Sequence, residues 1–133
     1  MGRSGYSDEH EESELNLYRG AVESAIRGKR GQQFFRDLIA ALDAMPVKEL
    51  ITGELEDNGA VCALGSLGQS RSLDMSNVDT TDSDTLGDLF GIARSLAAET
   101  MFMNDDDFGC YPNETPAERW TRMRAWATEN IKP

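Results

Sequence analysis

The 133-residue chain reads as one compact, mainly α-helical bundle of five or six short helices, with room for one small β-hairpin near residues 50–62. Three observations lead there. Apolar residues recur at three- and four-residue spacing in successive stretches, the mark of amphipathic helices. Gly, Pro and Asp-rich punctuation falls between those stretches. Hydrophobic residues make up 39% of the chain, enough for one core but not for two.

Residues 1–13 are polar and acidic, too poor in apolar side chains to offset the entropy of ordering. They are expected as a disordered acidic tail before a single helical domain over residues 14–133. The first helix carries Leu15, Tyr18, Val22, Ala25 and Ile26 on one stripe. Gly28-Lys29-Arg30-Gly31 breaks it, with glycine suited to the left-handed residue that ends a helix. Phe34, Phe35, Leu38, Ile39, Leu42 and Met45 form the clearest stripe, stopped by Pro46. The short link predicts an antiparallel helical hairpin.

Leu50–Leu55 fits a strand, with Asn58-Gly59 as a tight turn. The return segment, Ala60–Gly68, fits a strand or a helix. The three-residue spacing of Val61, Leu64 and Leu67 favours the helix. Residues 70–84 read as a loop. Asp82 or Ser83 can cap a helix through Leu86, Leu89 and Phe90 that Gly91 ends. The next helix carries Ile92, Leu96, Ala97 and Met101 or Phe102, and stops at Asn104-Asp105-Asp106-Asp107, whose carboxylates oppose the macrodipole. Thr115-Pro116-Ala117-Glu118 is a capping box with Pro at the first helical position. Behind it Trp120, Met123, Ala127 and Ile131 share a face. Trp126 lies off that face and is expected to close the core edge, with Arg122 stacked on it.

The formal charge is −11 and the pI about 4.4, which disfavours direct contact with nucleic acid or anionic membranes. The charge is unevenly spread: residues 15–48 sum to +3 and residues 49–114 to −12. Two readings follow. Acidic loops can be solvated faces that pair with the basic hairpin. Alternatively, carboxylates on loops 74–88 and 105–107 form a rigid surface that imitates DNA phosphates and steers a basic partner. Asp79, Asp82, Asp84, Asp88, Asp105, Asp106 and Asp107 are the candidate partner-binding residues.

Other chemistries find little support. Cys62 and Cys110 form no CxxC pair, and a reducing cytoplasm is expected. Cys62 sits among apolar neighbours that would raise its pKa and suit a buried packing role. Residues 104–115 start like a calcium loop, but Phe108 and Thr115 stand where ligands are needed. The single histidine, His10, offers no zinc set. No catalytic residue, cofactor or metal is assigned. Lys29 and Arg30 between two glycines read as a solvated turn.

The strings Leu17-Tyr18-Arg19-Gly20-Ala21-Val22, Ser24-Ala25-Ile26-Arg27-Gly28-Lys29-Arg30-Gly31-Gln32, Ala41-Leu42-Asp43-Ala44-Met45-Pro46, Cys62-Ala63-Leu64-Gly65, Met103-Asn104-Asp105 and Glu114-Thr115-Pro116-Ala117-Glu118-Arg119-Trp120 resemble a family of uncharacterised small proteins of bacteriophages and prophages. The resemblance spans roughly residues 15–131. No activity or site residue comes with it. It implies a bacterial cytoplasm during infection or lysogeny, where small acidic phage proteins bind and block host machinery, including restriction and CRISPR systems. The expected partner is a host protein with a basic surface, met by a monomer or homodimer. The alternative is a structural or regulatory phage protein with an apolar oligomer interface at the Phe35 or Trp126 edges.

Overall fold

The computed structural model describes residues 3–133, with side chains from Leu15 onward. Among the described residues it has six helices: α1 (Arg3–Arg27), α2 (Lys29–Ala44), α3 (Ala63–Ser70), α4 (Ser83–Phe90), α5 (Arg94–Asp105) and α6 (Pro116–Glu129). One small antiparallel sheet pairs β1 (Glu56–Asp57) with β2 (Ala60–Val61). None of these helices is long and apolar enough to cross a membrane. The mainly helical fold is as the periodicity predicts.

Residues 3–13, read above as an acidic tail, continue α1 in backbone; residues 1–2 lie outside the described residues. Of the stripe expected on α1, Val22 and Ile26 are buried, but Leu15 is 58% exposed and Tyr18 borders solvent. Of the side chains described on α1, the body of the protein buries only those in the last turns. Gly28 is not left-handed. It is the extended N-cap of α2, with φ −70°, so a single residue separates two helices. Gly31 lies inside α2 because a Cβ there would sit 1.9 Å from the Ala25 carbonyl oxygen. Buried Gln32 ties this corner to the carboxyl end: its Nε2 donates to Ile26 O at 2.7 Å and Asn130 O at 2.9 Å, and its Oε1 accepts from Lys132 N.

The core centres on α2, whose Phe34, Phe35, Leu38 and Leu42 are fully buried, packed against α3 and α6. Each such side chain stabilises the fold by about 1.5–3 kcal/mol relative to exposure. Trp126 stacks edge-on against Phe35 at 5.3 Å and closes the core edge as expected. Arg122 does not stack on it. Its guanidinium lies over Tyr111 instead, 5.1 Å from the ring centre, because Glu114 draws it to the other side of α6. Phe35 is 0% exposed, so an oligomer interface at its edge is not on the surface.

The hairpin keeps its expected turn but not its first strand. Asn58 and Gly59 both take positive φ, and the paired residues are Glu56–Asp57 and Ala60–Val61 rather than Leu50–Leu55. Gly53, at φ +81°, bends the earlier segment out of any ladder. The helix favoured over the return segment begins at Ala63, N-capped by the Cys62 sulfur, which accepts from Gly65 N. Caps at Asp82, Gly91 and Thr115 fall where the sequence places them.

Candidate functional site

The two acidic segments are far apart in sequence, and the fold brings parts of them together across Gly53. The Gly53 N–H donates to Asp105 Oδ1 at 3.1 Å, while its carbonyl accepts from the Thr80 hydroxyl at 3.0 Å. One residue thus clamps the end of α5 to the loop before α4. Around this junction lies a surface depression of about 440 Å³. It is lined by Tyr18, Gly53, Thr80, Thr81, Ser83, Ala98, Met101, Phe102, Asp105 and Asp107, with no basic side chain among them.

Local chemistry holds the carboxylates in place. Asp79 Oδ1 accepts from the Thr81 N–H at 2.9 Å and from the Thr81 hydroxyl at 2.6 Å. Asp82 caps α4, accepting from the Thr85 N–H and hydroxyl. The threonine hydroxyls, then the backbone N–H groups, hold both carboxyls below their ordinary pKa, while Asp79 and Asp82 repel one another. Asp106 takes the left-handed position after α5 and accepts from Cys110 N and Tyr111 N, which turns its carboxylate into the loop. Asp107 is exposed.

The seven candidate aspartates therefore do not form one patch. Asp105 and Asp107 line the depression, and Asp79 and Asp82 flank Thr80 and Thr81, which line it too. Asp106 serves the loop that follows. Asp84 and Asp88, one turn apart on α4, do not line it: Asp84 lies 3.5 Å from Arg94, which lines a different depression. That second depression, about 580 Å³, lies between Gly28–Gly31 and Ala93–Leu96 and carries Lys29, Arg30 and Arg94. Among the described residues, no ion pair joins the basic stretch 15–48 to the carboxylates of loops 74–88 or 105–107. Arg19 pairs instead with buried Glu99, and Asp37 and Asp43 pair with Arg71 and Arg124.

Two residues that the sequence does not mark as part of a binding face belong here. Gly53 is the clamp, and Phe108, next to Asp107, stacks edge-on against Phe102 in the wall of the depression at 4.5 Å. Phe108 is 78% exposed. Its only signal in sequence is an apolar residue outside every helical stripe, inside an acidic run. Cys62 is buried, and burial pushes its thiol up to about 12, which suits packing rather than nucleophilic attack. The calcium-like segment uses its oxygens internally: Asn104 is buried and bonds Ala63 N and Ile51 O, and Asp105 and Asp106 accept from backbone N–H groups. The site offers fixed negative charges and an aromatic edge, a surface for binding a cationic group.

Compared with family models, curated proteins and solved structures, the chain gives no match to any of them.

Proposed function

We propose that this protein is a non-enzymatic phage or prophage accessory protein that acts in the bacterial cytoplasm by binding another protein. Its carboxylate face occupies a basic groove that otherwise holds nucleic acid, as in an inhibitor of a restriction or CRISPR complex. The observation that carries the reading is the convergence of residues 79–82 with Asp105 and Asp107 around Gly53. Asp79, Asp82 and Asp106 each have a local reason to exist as a cap or turn. Nothing local requires the two loops to meet at Gly53 around a depression with no cation among its described lining residues. Fixed carboxylates lose little freedom on binding and keep their charge, which favours steering of a basic partner.

The test is capture from bacterial lysate at low and high salt, with the wild-type chain and Asp79→Lys/Asp107→Lys as baits. These two positions are exposed and cap no helix, so the fold is expected to survive. A nucleic-acid-handling complex should be retained by wild type at low salt, released at high salt, and lost from the double variant. Retention of the same complex by the double variant overturns the reading.

A further inference from the structure

Phe108 calls for a partner of a particular shape. It is the most exposed large apolar side chain among the described residues, at 78%, and it stands between Asp107 and Gly109 at the rim of the carboxylate face. Its loop is built to hold it. Glu114, buried at the loop's far end, accepts from Arg122 Nε at 2.6 Å and Nη2 at 2.9 Å, and lies 3.4 Å from Arg119. Arg122 in turn donates to the Met103 and Asn104 carbonyls, which joins the loop to the end of α5. Asp106 gathers the Cys110 and Tyr111 N–H groups, and Phe102 supports the Phe108 ring edge-on. An aromatic ring displayed on a loop fixed at both ends can be buried by a partner with little ordering cost. Interface energy concentrates on a few aromatic side chains that a partner buries rather than on charges left in solvent.

We infer that Phe108 is the anchor of the carboxylate face, and that the partner is a protein with an apolar pocket rimmed by Lys and Arg. The inference rests on the acidic-face reading and adds the pocket to it. Charge complementarity selects the protein: Asp105, Asp106 and Asp107 immediately precede the ring, and an anionic bilayer would repel them while a basic rim would not.

The test places the photo-crosslinker p-benzoylphenylalanine at position 108 of the full chain in bacterial cells. The expected product is one protein labelled inside an apolar pocket with Lys or Arg on its rim. That protein, purified, should bind Phe108→Ala about ten-fold more weakly, with Phe108→Leu between the two and with an unchanged slope of affinity against salt. Labelling of lipid, labelling spread across many proteins, no labelling, or wild-type binding by Phe108→Ala would each overturn the anchor. A steep salt slope with no effect at Phe108 would sink the anchor and leave the acidic face. A flat slope with a large effect at Phe108 would sink the acidic face instead.

Discussion

The loops that bear the carboxylate face, residues 71–82 and residues 106–114, are both acidic and held by opposite means. The first is fixed by a plug. Met75 is 9% exposed and reaches the backbone of α3 so closely that a Cβ at Gly68 would meet its sulfur at 2.3 Å. Around that plug are short local bonds, Ser76 to Asp74 and Thr81 to Asp79, and two non-glycine residues at positive φ, Ser72 and Asn77. The second loop has no buried apolar side chain. It is fixed by an ionic cluster of Arg119 and Arg122 with Glu114, whose side chain is 5% exposed. An apolar plug gains stability from burial and tolerates small displacements. A buried ion pair gains little net energy over an apolar replacement, but it is costly to break and demands geometry. The loop that presents Phe108 is the one held by geometry.

That contrast can be broken in several ways. The largest effect is expected at Glu114→Gln, which leaves two arginines sharing a neutral partner and should cost about 3 kcal/mol in denaturant unfolding. Met75→Ala should cost about 2 kcal/mol, at the low end for a buried methionine because its site borders solvent. If Met75→Ala proves the more damaging, the plug and not the ion cluster is the stronger fastening. Asp82→Ala removes the α4 cap and should lower the unfolding midpoint by less than either at neutral pH.

Acid sharpens this last expectation. Thr85 holds the Asp82 carboxyl, and Thr81 holds that of Asp79, below their ordinary range. A carboxyl with a lowered folded pKa contributes stability that is fully present above the unfolded value of about 4 and disappears as pH falls through the folded one. The difference between wild type and Asp82→Ala should therefore shrink below about pH 4. The smallest effect on stability is expected at Cys110→Ser, since Cys110 is exposed in the second loop. Thiol labelling of the native protein should mark Cys110 rapidly and leave Cys62 unmarked until unfolding. Fast labelling of Cys62 would mean that the core opens where the packing says it is closed.

Much of the fold was legible because helices announce themselves over short spans. The capping box at Thr115, the Asp82 cap and the left-handed Gly91 depend on residues within four positions of one another. The misread places involve contacts from afar. Leu15 fits the α1 stripe, but no element of the described body covers its turn. Gly28 and Gly31 looked like one helix-ending pair, although one is an N-cap and the other makes room for the Ala25 carbonyl. Leu50–Leu55 has strand composition, yet Leu50 N bonds Pro116 O and Ile51 N bonds Val61 O, so it serves two neighbours rather than one ladder. Arg122 had an aromatic four residues away on its own helix and went to Glu114 and Tyr111, because a carboxylate outweighs a ring.

Residue order alone was enough for the helical class, most helix ends and the division into basic and acidic halves, because periodicity, caps and charge are local properties. Which carboxylates share a face was not readable in that way. Asp105 meets residues 79–82 through the two sides of Gly53, whereas Asp84 turns to Arg94, and both outcomes follow from how α4 and α5 pack. Charges act through space, and the distances between residues so far apart along the chain exist only once the core has closed.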